Sequence, residues 1–204
     1  MTAQQTRPRL ENGDVMTREE FHRLYSDCAG LERVELIEGV VYMPSPIRVQ
    51  GHAREQGLLM DWLSAYAASR DDVQWSPPGS VLLDDQNEPE PDAMLYRLRP
   101  DRFDDGYLLG APELVVEIAA SSKSRDLHQK KRAYERNGVL DYIVWRTDDA
   151  AIDWFELRNG EYLQRQPDAA GVIESSTFVG LRLDVPAALS LDRAAVLAAL
   201  KVNP

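Results

Sequence analysis

Apolar residues recur three and four apart in some stretches of the chain and gather in short β-branched runs elsewhere, a pattern that predicts mixed helix and strand. Thr17 and Glu20 have the spacing of a capping box, and Phe21, Leu24 and Tyr25 follow on one face, predicting a helix that ends between Cys28 and Gly30. Residues 34–37 and 40–43 flank Glu38-Gly39, a sequence suited to a tight hairpin turn, and Pro44 and Pro46 stop the second strand. Leu58, Leu59, Trp62, Leu63 and Tyr66 extend a helical period over about 49–69. Short strands are expected at 73–75 and 80–83, around Pro77-Pro78-Gly79. The acidic, proline-bearing stretch 84–91 reads as a loop, 92–96 as a strand and the charged stretch 97–106 as another loop.

Residues 114–118 are apolar at both parities apart from Glu117, which suits a strand covered on both faces. A helix is expected over 125–137, stopped by Gly138, followed by a strand at 142–145. Runs at 152–157, 161–165 and 172–178 predict an antiparallel meander, and 190–193 opens a terminal helix over 194–200. Strands, helix, strand, then antiparallel strands give a mixed α/β class, an α+β mixed sheet, with one domain over 14–204 after a polar, flexible segment at 1–13.

Composition narrows the function classes. With 44% hydrophobic and 28% charged residues in 204, wholesale disorder is excluded. The one cysteine, Cys28, forms no internal disulfide, which points to a reducing, cytoplasmic setting. No apolar run approaches the ~20 residues of a membrane span, and the first residues lack the basic-then-apolar order of a signal peptide. A net charge of −11 argues against coating nucleic acid through bulk positive charge. The charge is uneven, however: residues 121–136 carry six bases and two acids, a local +4 against −15 for the remainder. That distribution is compatible with a small site whose positive charge is local.

Glu117 is the informative residue. An ionised acid inside an apolar strand costs several kcal/mol to bury and requires a partner. That partner is either a divalent cation shared with other carboxylates or an ion pair with Arg97, Lys130 or Arg125. Asp92, just after Pro91 at the mouth of its own strand, is the natural second ligand, and two strand-end carboxylates suit Mg²⁺, which keeps several waters. Asp126, Lys130 and Tyr134 lie four apart and share a helical face. On spacing alone this is an ordinary ion pair on a solvated helix; in the functional reading Lys130 turns toward the carboxylates and offsets transition-state charge. His52 is a candidate for phosphate positioning or proton transfer, or else a solvated residue at a helix start. His22 and His128 read as helix-surface residues, no histidine pair has metal-ligand spacing, and there is neither a Gly-x-Ser-x-Gly nor a phosphate-binding glycine loop. Trp62, Trp75, Trp145 and Trp154 are scattered and read as core rather than a base-stacking platform.

Taken in order, Pro91-Asp92, Glu113-Leu114-Val115-Val116-Glu117, Asp126-x-x-x-Lys130-x-x-x-Tyr134 and Gly138-Val139-x-Asp141-Tyr142 resemble the Uma-type family of restriction-endonuclease-like proteins, within the PD-(D/E)XK nuclease superfamily. Upstream, Glu35-Leu36-Ile37-Glu38-Gly39, Met43-Pro44-Ser45-Pro46 and His52 are similar to its N-terminal pattern, so the likeness runs from about Thr17 to Trp145. The resemblance implies a restriction-endonuclease-like fold, here with an added antiparallel C-terminal meander. It implies an Mg²⁺- or Mn²⁺-dependent endonuclease acting on DNA. Asp92 and Glu117 would bind the metal. Lys130, on the following helix, would replace the lysine that the superfamily usually carries where this chain has Ala119. Glu35 would assist the metal or the water, and His52, Asp126 and Tyr134 would support the site. The family often has an acid before the Ser-Ser pair, where this chain has Ala120. Duplex cleavage by analogy favours a homodimer. Two rival readings are a non-catalytic nucleic-acid- or protein-binding module on the same fold and a hydrolase of a small phosphorylated substrate.

Overall fold

The computed structural model of the protein describes residues 10–28, 30–43, 46–120 and 122–201. The predicted flexible segment 1–13 therefore lies mostly outside the described residues, as do Pro44, Ser45 and Ser121. Within 10–13, Leu10 is buried beside Phe21 and Leu24, and the Gly13 N–H donates to the Val41 carbonyl at 2.8 Å.

Helix α1 (Arg18–Ser26) starts as the capping pattern predicts, with the Thr17 hydroxyl accepting from the Glu20 N–H. Strands β1 (Glu35–Ile37) and β2 (Val40–Tyr42) form the expected hairpin, with Glu38 at φ +52° and Gly39 at φ +75°. Two consecutive left-handed residues are what a two-residue turn matched to strand twist requires. The helix expected from residue 49 is interrupted. Residues Val49–Ala53 form a kinked π-helical turn in which Gln50 is extended and Gly51 has φ +83°, and regular helix begins only at α2 (Arg54–Ala67). Hydrophobic period does not register such a break, because Gly51 leaves the helix through its backbone.

Strands β3 (Val73–Ser76), β4 (Val81–Leu82) and β5 (Ala93–Arg97) follow. The charged stretch expected to be loop contains β6 (Phe103–Asp104), which turns into β7 (Tyr107–Leu109), and β7 pairs in parallel with β4. After β8 (Leu114–Ala119), one helical stretch runs through α3 (Lys123–Arg125), a second π-helical turn (Asp126–Lys130) and α4 (Lys131–Asn137). It ends at Gly138 with φ +84°, and β9 (Asp141–Arg146) then pairs in parallel with β8. Strands β10 (Ala151–Arg158) and β11 (Glu161–Arg165) continue antiparallel.

The predicted meander stops at β11. Glu161, Leu163 and Gln164 leave this edge strand exposed, while β12 (Val172–Glu174) pairs instead with β13 (Arg182–Asp184) in a separate hairpin. That hairpin is drawn to the other side of the sheet, where Ile173, Phe178, Leu181 and Leu183 bury against α2. Helix α5 (Val185–Leu189), which the pattern does not predict, and α6 (Arg193–Ala198), capped by the Asp192 carboxylate, complete the described chain.

The central sheet has the order β11-β10-β9-β8-β5-β3 and is mixed, parallel only between β8 and β9. This is the expected α/β class. Its two faces carry separate cores. Val116, Ile118, Ile143 and Trp145 pack against α2, while Val115, Ala119, Tyr142 and Val144 pack beneath Ala133 and Tyr134 of α4. Strand pleating sends Glu117 to the α4 face between Val115 and Ala119. Among the described residues no helix is long and apolar enough to cross a membrane.

Candidate active site

Glu117 is an acid in the middle of a fully buried strand, and three elements converge on it. The β5–β8 register pairs Ala93 with Val116, so the preceding residue, Asp92, stands opposite Glu117 on the same sheet face. The Asp92 carboxylate is fixed there by the Ile118 N–H, which donates to Oδ2 at 2.7 Å. From the crossover helix, Lys130 reaches Glu117 Oε1 at 3.0 Å and the Tyr134 hydroxyl donates to the same oxygen at 2.9 Å. From β1, Glu35 Oε1 lies 2.6 Å from Lys130 Nζ and accepts the Glu90 N–H at 2.9 Å. Strand β1 is held by the 84–91 loop, whose Glu88 exchanges backbone hydrogen bonds with Leu36.

The lysine therefore lies between two carboxylates, with Asp126 Oδ1 third at 3.9 Å. Burial by itself lowers the Lys130 pKa, but the charges of Glu117, Glu35 and Asp126 outweigh it and raise the ammonium well above its ordinary value. Lys130 is thus a fixed cation at any physiological pH. Burial raises the Glu117 carboxyl well above 4.5; Lys130 opposes the rise, while Asp126, Asp92 and Glu35 add to it. Asp126 is raised chiefly by burial, against the pull of Lys130 and a hydrogen bond from Ser122. Burial first, then the Glu117 charge, keeps the Tyr134 phenol protonated.

These groups open into a cavity of about 460 Å³. Its wall brings Glu35, Asp92, Glu117 and Lys130 together as the sequence reading expects, with His52 beside them. His52 Nε2 lies 3.5 Å from Asp92 Oδ1 on the kinked turn, not at a helix start, and its Nδ1 is buried with no hydrogen-bond partner among the described residues. Asp126 and Tyr134 lie behind Lys130 and Glu117. Of the three ion-pair partners considered for Glu117, Lys130 is the one in place. Arg97 pairs with Asp72, and Arg125 stands nearer Glu35, with its Nη2 4.0 Å from Oε2.

Several residues in or beside the cavity carry no signal in the sequence. Arg33, at φ +59°, donates to Asp92 Oδ1 at 2.6 Å and comes within 3.8 Å of Glu90. Gln56 donates to the Asp92 carbonyl at 2.9 Å. Arg48 and Asp148 line the mouth. Arg33, Arg48 and Asp148 sit in turns or loops, where neither period nor spacing marks them; the sequence reading offered Arg125 as an ion-pair partner of Glu117 and as part of the local basic excess.

Asp92 and Glu117 are the hard oxygen donors that Mg²⁺ or Mn²⁺ prefers. Among the described residues no group of three or more His, Cys, Asp or Glu is arranged to hold an ion. The chain would therefore offer two carboxylates and leave the remaining positions to water. The donor set fits such a cation, because the cavity wall carries five carboxylates against four arginine and lysine side chains. The fit requires Arg33 to release its bond to Asp92.

A family model, Uma2, described as "Putative restriction endonuclease", matches residues 18–186. No curated protein matches. Among solved structures, the chain is similar to "a putative nuclease belonging to DUF820" from Anabaena variabilis, with a TM-score of 0.63 and 14% identity. The alignment covers 82% of this chain and 96% of that one. At that identity the likeness establishes the shared fold.

Proposed function

The chain belongs to the Uma2 family, and from that premise we propose that it is a divalent-metal-dependent endonuclease hydrolysing phosphodiester bonds in DNA. The observation that carries this reading is the meeting of the Asp92 and Glu117 carboxylates with the Lys130 ammonium in one cavity, from the start of β5, from β8 and from the crossover helix. Asp92 and Glu117 would hold Mg²⁺ or Mn²⁺. A bound ion would supply Lewis-acid polarisation of the scissile phosphate and acidification of a water.

The chain's own groups divide the remaining work. Lys130 is held charged by Glu117, Glu35 and Asp126, so it offsets negative charge developing on the phosphate and does not serve as a base. Glu35 and Asp126 fix its position. The Tyr134 hydroxyl donates to Glu117 Oε1 and orients that carboxylate from behind, leaving Oε2 for the cavity. His52, beside Asp92, lies where it can contact a phosphate oxygen. A homodimer would bring two such cavities to the two strands of a duplex.

Incubating plasmid DNA with the protein and Mg²⁺ or Mn²⁺, beside Asp92→Ala and Glu117→Ala, tests the reading. Nicking or linearisation is expected from the wild type. Loss in each variant should exceed the ~10–100-fold typical of removing a supporting group near a metal. Cleavage unchanged in both variants refutes the site. DNA binding without cleavage favours a non-catalytic module, and hydrolysis of a small phosphate ester alone favours the small-substrate alternative. Sedimentation of the protein with and without duplex reads the oligomeric state.

A further inference from the structure

Two arginines of the cavity have no role in the arrangement described above. Arg33 is engaged by Asp92, but among the described residues no acid lies at hydrogen-bond distance from Arg125 or Arg48. The Arg125 guanidinium lies over the Tyr42 ring, 4.7 Å from its centroid. The ring is itself tied down by its hydroxyl, which donates to Gln129 Oε1 at 3.1 Å. The nearest carboxylate oxygen to Arg125, on Glu35, is 4.0 Å away, and its Nε is buried with no hydrogen-bond partner among the described residues. Arg48, exposed between the exposed side chains of Ile47 and Val49, lines the same cavity and forms no ion pair among the described residues.

A guanidinium carries five N–H donors in a rigid fork that matches two oxygens of one anion, and a buried donor without an acceptor is unfavourable. In a cavity with a surplus of carboxylates, an arginine stacked on an aromatic ring, with its nearest carboxylate oxygen no closer than 4.0 Å, keeps donors free for an acceptor from outside. The ligand such a guanidinium takes is a bidentate oxyanion, and on the nuclease reading the oxyanion at hand is a phosphate of the substrate. We propose that Arg125 and Arg48 form a seat for a backbone phosphate of the nucleic acid, flanking the phosphate that reacts at Asp92 and Glu117. The inference rests on the nuclease reading and adds to it the residues that fix the substrate's position. It also accounts for how a chain of net charge −11 holds a polyanion, because the binding cations stand on the crossover helix and just before the kinked turn.

Arg125→Met, which keeps a stem on Tyr42, Arg125→Lys and Arg48→Met test the seat. A labelled duplex is titrated by fluorescence anisotropy in Ca²⁺ over a range of KCl, and cleavage kinetics are measured in Mg²⁺. Each methionine variant is expected to weaken duplex binding by about tenfold and to flatten the slope of log K against log salt by ~0.9, the value for one lost phosphate contact. KM should rise more than kcat falls, and Arg125→Lys should restore most of the salt slope but only part of the affinity. Unchanged affinity and slope in both methionine variants, in a protein that binds and cleaves DNA, overturns the seat and leaves the nuclease reading standing. A wild type that neither binds nor cleaves DNA overturns both. Inorganic phosphate or a nucleoside monophosphate that binds the wild type as tightly as the duplex, and loses that binding in Arg125→Met, overturns the assignment to a polymer backbone. Thermal melting of each variant separates these outcomes from misfolding, and Arg48→Met, at an exposed position, still decides the question if Arg125→Met melts early.

Discussion

Replacing Lys130 with methionine keeps the apolar stem and removes the ammonium that lies 2.6 Å from Glu35 and 3.0 Å from Glu117. Breaking a buried ion pair on one side costs about 3–5 kcal/mol, because the partner charge stays behind without compensation. Here the charge left behind can take up a proton, and that sets a ceiling. Protonating a carboxyl of ordinary value 4.5 costs about 3.4 kcal/mol at pH 7 and about 0.7 kcal/mol at pH 5. Glu35 keeps the Glu90 N–H and the Arg125 guanidinium nearby, so Glu117 carries most of the loss. Because Glu117 already binds its proton more tightly than a free carboxyl, the expected destabilisation lies between about 1 and 3 kcal/mol at pH 7, a fall in Tm of at most roughly 6–12 °C for a chain of this size, shrinking below about 1 kcal/mol at pH 5. Urea and thermal melts of the metal-free protein at both pH values read it directly. Adding Glu117→Gln to Lys130→Met should recover part of the loss, because the double variant buries no unpaired charge there. A cost under about 1 kcal/mol at pH 7, or one equal at pH 5, refutes the claim that Lys130 compensates buried carboxylate charge.

Two further outcomes are expected. Arg33 holds Asp92 Oδ1 at 2.6 Å, and its own pKa is raised because the Asp92 and Glu90 charges outweigh the opposing effect of burial, so its guanidinium competes with any cation at that carboxylate. Arg33→Ala should therefore bind Mn²⁺ several-fold more tightly by calorimetry, and equal or weaker binding contradicts the competition. Glu88, fully buried and hydrogen-bonded by His22 Nδ1 at 2.9 Å, is raised above 4.5 by burial, with His22 and Arg18 opposing. The folded protein then holds that proton more tightly than the unfolded chain. The Glu88 contribution to stability is accordingly greatest below pH 4.5 and declines as pH rises through the folded value. Glu88→Gln should gain stability relative to wild type between pH 4.5 and 7, whereas a constant difference across that window contradicts the direction.

The local pattern of this chain was sufficient for elements whose signals are local. The Thr17 cap, the Glu38-Gly39 turn and the Gly138 stop each depend on a few neighbouring residues, and each stands where the pattern puts it. Glu117 was legible for a related reason: an acid within an apolar strand is a conflict visible in five residues, and its cost is independent of the rest of the fold. Which group resolves the conflict was not legible from spacing, because Arg97, Lys130 and Arg125 are equally cationic in sequence. Strand register and the crossover helix decided among them, setting Asp92 opposite Glu117 and bringing Lys130 in from above. The kink at Gly51, the departure of β12 from the meander and the arginines at positions 33, 48 and 125 were likewise decided by tertiary packing. Sequence by itself determined where this protein must place an awkward charge. Only the folded chain determined what surrounds it, because ion pairs and cavities form between residues tens of positions apart, whose meeting depends on sheet order rather than on any periodic signal.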